Sequence, residues 1–212
     1  RQIDDQQLKR LLQDEAMKLP DTNIAISGMA GRFPKADSVV EYESNLRHGI
    51  DMVNDQDETR FQCGLWGLPP RAGRMKDLRR FDSEFFGYSA EAVNYVDYQL
   101  RILYEVVYES IIDAGVNPSS LRGTNTGVFF GLHCNEFENA MADDPQFKSN
   151  GYYAQFAVKV AQYFDLRGLT VTFDAACASG FVGLHSAVEA LREGLIDQAI
   201  VCSSNIPVHP TS

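Results

Sequence analysis

The sequence predicts an α/β fold built on a sheet with parallel members. Short apolar runs rich in β-branched and aromatic residues recur at TGVFFGL (126–132), LTVTFD (169–174) and QAIVCS (198–203). Segments with helical spacing separate them, GYYAQFAVKVAQYF (151–164) and SGFVGLHSAVEALREG (179–194). Strands that alternate with helices at this interval cannot be joined as hairpins, so they favour parallel pairing.

The elements are read in order along the chain. Leu8, Leu11, Leu12, Ala16 and Leu19 recur at helical spacing, and Pro20 ends the pattern, so 1–22 reads as a leading amphipathic helix or linker. The rest, 23–212, reads as one domain. IAISG (24–28) has the look of a buried strand ended by glycine. Ser38 with Glu41 three positions later is a capping-box signature for a helix through Leu46 that Gly49 closes. Residues 51–82 are rich in Gly, Pro, Arg and Asp and are expected to run over the surface. Asp97 is placed to cap a helix whose buried stripe is Leu100, Leu103, Val107, Ile111 and Ala114, with Gly115 at its end. In the 151–164 helix, Phe156, Val160 and Phe164 face inward.

Composition narrows the function. The chain has 212 residues, 44% of them hydrophobic, and carries 19 basic against 29 acidic side chains for a net charge of −10. Such a chain is repelled by phosphate backbones and anionic bilayers, so neither nucleic acid nor membrane is an expected partner. No apolar run reaches the ~20 residues a bilayer span requires, and the N-terminus lacks a signal-peptide core. Cys63, Cys134, Cys177 and Cys202 show no zinc or redox spacing, so no metal site is expected and a reduced, cytoplasmic setting is. Arg1 at the start, and NIPVHPTS without a closing element at the end, read as a fragment of a longer chain.

The segment that carries chemistry is FDAACASGFVGLHSAVEALREG (173–194). A strand stops, small residues surround Cys177, and a helix begins, which is the strand–turn–helix pattern of a nucleophile elbow. A sulfur at a helix start faces unpaired N–H groups and the positive end of the macrodipole, both of which favour the anionic, reactive form. The same amides can hold a developing oxyanion. The alternative reading is a small apolar cysteine filling a tight junction.

From 24 to 212 the chain resembles the start of the β-ketoacyl synthase domain of animal fatty acid synthases, and more distantly of polyketide synthases. ISGMAGRFP (26–34), GIDMVNDQDETRF (49–61) and GLWGLPPRAGRMKDLRRFDSEFFGYSAEAV (64–93) match in order, and QLRILYEVVYESIIDAGVNPSSLRGTNTGVFFG (99–131) matches best. Within it SLRGTNTGV points to the animal synthase subgroup, and DAACASG (174–180) falls where the family places its active-site cysteine. The resemblance implies a thiolase-like fold, a mixed sheet of strands alternating with helices, of which this chain supplies the N-terminal half. It also implies acyl transfer to Cys177, then decarboxylative condensation with malonyl on an acyl carrier protein domain. Substrates would ride on phosphopantetheine, no cofactor would be bound by this region itself, and the partners would be the rest of the synthase chain and a second copy in a homodimer.

The resemblance has gaps. The family's two histidines and lysine for decarboxylation have no match in His48, His133, His185 or His209. His185 lies eight residues beyond Cys177, ~12 Å along the helix, and reads as a surface residue. A proline common before the long helix is missing at Asp97-Tyr98-Gln99, the motif around the cysteine reads Ala175-Ala176-Cys177-Ala178, and Cys202-Ser203 replace an expected glycine pair. These departures leave open a catalytically inactive scaffold or dimerisation module. A polyketide synthase ketosynthase is the other alternative. The basic run RAGRMKDLRR (71–80) offers a surface for an acidic carrier domain or a phosphate, or else a solvated face.

Overall fold

The structure is a computed structural model that describes residues 24–54, 71–132 and 155–206. The leading helix expected at 3–19 lies outside the described residues, as do His133, His209, Cys63 and Cys134.

In order, the elements are α1 (Val39–Arg47), β1 (Val53–Asn54), β2 (Ala72–Gly73), α2 (Tyr98–Asp113), β3 (Thr126–Leu132), α3 (Phe156–Phe164), β4 (Thr170–Phe173), α4 (Ser179–Arg192) and β5 (Gln198–Ser204). The main sheet runs β4-β3-β5 and all its pairings are parallel, with Gly131 opposite Phe173 on one side and Ser203 on the other. The antiparallel element is a separate two-stranded ladder of β1 and β2. The α/β class expected from the alternating pattern is what the chain adopts.

β3 is central and buried at every position. Its side chains alternate between two layers, as a strand's must. Val128, Phe130 and Leu132 join the core made with α2 and α3, while Phe129 packs with Ala187, Ala190 and Ile196 on the α4 side. Each such buried side chain contributes about 1.5–3 kcal/mol. α3 thus returns the chain from β3 to β4 over one face, and α4 returns it from β4 to β5 over the other. Adjacent strands whose exits leave toward opposite faces create a crevice at the carboxyl end of the sheet.

The caps form where the sequence placed them. Ser38 Oγ accepts the Glu41 N–H at 3.1 Å, although the Glu41 carboxylate reaches back to the Asp37 N–H at 2.8 Å rather than to that of Ser38. Asp97 accepts the Gln99 N–H at 2.7 Å, and Gly115 follows α2 at φ 72°. Leu100, Leu103, Val107 and Ile111 are buried and Ala114 is half-buried. Phe156, Val160 and Phe164 point inward as expected.

The strand expected at 24–28 is not formed. Ile24 is exposed, Ile26 is 70% exposed, and the segment joins no ladder among the described residues. It is held instead by the end of α2, where Met29 N–H donates to Asp113 at 2.8 Å and Gly28 sits so close that a Cβ would lie 2.2 Å from Ser110 O. An apolar run becomes a strand only when an open edge accepts its backbone, and here a helix terminus takes those contacts. Among the described residues no helix is long and apolar enough to cross a membrane.

Candidate active site

Cys177 sits at the carboxyl end of β4, in the turn 174–178 that leads into α4. It precedes the N-cap residue Ala178 and is exposed to solvent. The small side chains on either side leave the sulfur uncovered, as the sequence suggested.

The turn is fixed by its own polar groups. Ala176 adopts φ 51°, a left-handed conformation that costs a non-glycine residue about 1–2 kcal/mol. Asp174 Oδ1 accepts the Ala176 N–H at 3.2 Å. Ser179, 3% exposed, accepts the Ala175 N–H at 2.8 Å and donates its hydroxyl to Ala176 O at 2.6 Å. The backbone closes the loop with Ala178 N–H to Ala175 O and Ser179 N–H to Ala176 O, both at 3.1 Å. Strain at one residue held by neighbouring bonds is characteristic of functional turns.

The turn also rests on the sheet. A Cβ at Gly131, on β3, would stand 2.7 Å from both Gly180 N and Ser179 C, so only glycine admits the helix start at this height. Asp174, Ser179 and Gly131 had no functional reading in the sequence. A polar residue on each side of a small-residue turn was the available signal for the first two. Gly131 lies 46 positions before Cys177, and only the β3–β4 register brings it near.

The histidines do not converge on the sulfur. His185 is exposed on α4, and His48 is exposed after α1 with Nδ1 2.8 Å from Ser44 O. Cys202 packs against the α2–α3 core, and burial pushes its thiol up to about 12, leaving it neutral and unreactive. Its side chain fits because it points away from α4, so the missing glycine leaves no clash there. No group of metal-ligating side chains occurs among the described residues.

The basic run is tied down within the chain. Arg71 bonds Asp51 at 2.5 Å, and Lys76 bridges Asp37 at 2.9 Å and Glu41 at 3.3 Å. Arg74 is buried, and Arg79 and Arg80 stay exposed. A cleft of about 490 Å³ lies beside this run, between it and α2, lined by Arg32, Lys76, Arg80, Phe85, Glu105 and Glu109 among others. Cys177 is not on its wall.

Comparison with known proteins agrees with this geometry. A family model described as "Beta-ketoacyl synthase, N-terminal domain" matches residues 21–212. The chain is 37% identical to a fatty acid synthase of Anser anser anser over 90% of its length, covering 55% of that sequence. It is 42% identical to a highly reducing polyketide synthase of Neocamarosporium betae over 64% of its length, covering 5% of that sequence. Among solved structures it resembles the ketosynthase from module 6 of the bacillaene synthase of Bacillus subtilis 168. There the TM-score is 0.79 at 30% identity, over 87% of this chain and 32% of that one. Both kinds of synthase are therefore similar, and the animal subgroup is not singled out.

Proposed function

The chain belongs to the family of β-ketoacyl synthase N-terminal domains, and on that premise we propose that Cys177 is its acyl-accepting nucleophile. The observation that carries this is the exposed sulfur on a strained, hydrogen-bonded turn at a helix start. The thiolate attacks the carbonyl of an acyl thioester on phosphopantetheine. A carbon–sulfur bond to Cys177 forms, and the carrier thiol leaves with the proton. The positive end of the α4 dipole favours negative charge at that sulfur, while the Ala178, Ser179, Phe181 and Val182 N–H groups of the turn are already donated to the Ala175, Ala176 and Ala178 carbonyls.

Condensation then follows on the acyl-enzyme. A malonyl thioester on an acyl carrier domain loses CO2, and its carbanion attacks the acyl carbonyl. The bond to Cys177 breaks, giving a β-keto thioester two carbons longer. The histidines that resemblance assigns to decarboxylation have no counterpart in this sequence, so we place the acyl-transfer half here and the rest in further parts of a synthase dimer. A fatty acid synthase is favoured over a polyketide synthase because, over about nine tenths of the chain, the Anser anser anser enzyme is 37% identical, against 32%, 34% and 33% for a hybrid PKS-NRPS synthetase and two polyketide synthases matched over a similar share.

Competitive labelling tests the assignment. Limiting amounts of a thiol-reactive acyl analogue, followed by peptide mass spectrometry, should modify Cys177 well ahead of Cys202, Cys63 and Cys134. Labelling of Cys177 no faster than the enclosed Cys202 would leave a scaffold in place of an enzyme.

A further inference from the structure

We propose that the cleft between α2 and the 75–86 segment binds a small organic ammonium ion, with Glu105 as its counter-ion and Phe85 and Tyr108 as its aromatic walls. The cleft, about 490 Å³, has the size of a small-molecule site. Phe85, on its wall, stays 51% exposed although Phe86 beside it is buried. The Phe85 ring stands at 83° to that of Tyr108 and at 76° to that of Phe86, with centroids 5.1 and 5.0 Å away. Rings set nearly at right angles form a corner, and a cation is attracted to a ring face when it lies within ~6 Å of the centroid.

The charges on the walls set the sign of the ligand. Three basic and five acidic side chains line the cleft, a balance of −2. Internal pairing does not remove that balance. Arg32 is engaged by Glu109 at 2.7 and 2.5 Å and by Asp37 O at 3.0 Å, and Lys76 is engaged by Asp37 and Glu41. Glu105 has no bonded cation among the described residues; its carboxylate accepts the Asp82 N–H at 3.3 Å. It is half-buried on α2, and that burial raises it above its ordinary value. A partly desolvated carboxylate with lone pairs to spare, beside an open aromatic face, suits an ammonium that carries an apolar group and disfavours an anion. Arg80, exposed at the same cleft, opposes such a ligand. Cys177 lies off this wall, so the site stands independently of its reading as the nucleophile.

The test titrates the full chain, isotopically labelled, with benzyltrimethylammonium and separately with benzoate, and follows backbone amide shifts by NMR. The ammonium should shift Phe85, Glu105 and Tyr108 saturably with a Kd on the order of 1 mM, as expected for a ligand of this size, while benzoate leaves them in place. Glu105→Gln keeps the shape and should weaken the ammonium about tenfold. Phe85→Leu keeps apolar bulk but removes the ring face, and should weaken it about threefold. Arg80→Gln should bind it as well as the parent or better. The dispersion of the same spectra reports whether each variant is folded. The absence of a saturable shift, equal binding of benzoate, unchanged affinity in Glu105→Gln, or loss of binding in Arg80→Gln would each overturn the proposal. If Phe85→Leu fails to fold, the opposite signs expected of Glu105→Gln and Arg80→Gln decide the matter alone.

Discussion

In Gly131→Ala the added methyl would meet Gly180 N and Ser179 C at 2.7 Å and Ser179 Cβ at 2.9 Å, where ordinary contact begins at 3.4 Å. Two of the three atoms are backbone, so no side chain can swing aside. Either α4 lifts from the sheet by several tenths of an ångström or β3 bows away from it. Overpacking of this kind costs about 1–3 kcal/mol. Alanine recovers about 0.4–1 kcal/mol of that by restricting the unfolded chain. At the centre of those ranges, about 2 less about 0.7, the net loss is about 1.3 kcal/mol, a fall in Tm of roughly 3–5 °C for a domain of this size. Because the displaced atoms belong to the turn that carries Cys177, alkylation of that sulfur should slow about tenfold as well. Differential scanning calorimetry and timed iodoacetamide labelling measure the two effects. A Gly131→Ala chain with unchanged melt and unchanged labelling would refute the claim that bare backbone at β3 sets the seat of α4.

Two further outcomes are expected. Asp97→Ala removes a buried N-cap acceptor and should cost about 1 kcal/mol, a Tm loss near 2–4 °C that Asp97→Asn largely restores. A melt of Asp97→Ala equal to the parent would show that the cap does not hold α2. Burial raises Glu105 above its ordinary value of 4.5, ahead of the lowering effects of the Asp82 N–H and Arg32. A carboxyl raised in the folded state favours folding while protonated and loses that contribution as pH rises through its folded value. Glu105→Gln should therefore melt above the parent at pH 7, with the gap closing as pH falls toward 4.5. A gap that is constant or widens toward acid in paired melts would contradict that sign.

Local signals were legible and long-range ones were not. Ser38 and Asp97 announced their helices because a cap and its partner lie within four residues. β3 announced itself because a strand covered on both faces must be apolar throughout. Cys177 stood out through the small residues around it. The 24–28 run misled because the sequence shows that a segment wants burial but not which edge is free to receive it. The partners of Arg71 and Lys76 come from α1 and the segments on either side of it, so part of a cluster of cations along the chain is matched by carboxylates in space.

The parallel order β4-β3-β5 means that the turn carrying Cys177 is assembled in stages during synthesis. The middle strand is translated first, and its two flanks follow tens of residues later, each after a helix. Such distant pairings close slowly and leave apolar edges waiting. The cysteine itself is made before the last flank exists, so for that interval its turn has only half its floor. The turn that carries Cys177 is thus completed by residues that emerge after it, and it reaches its final seat only once the sheet beneath it has closed.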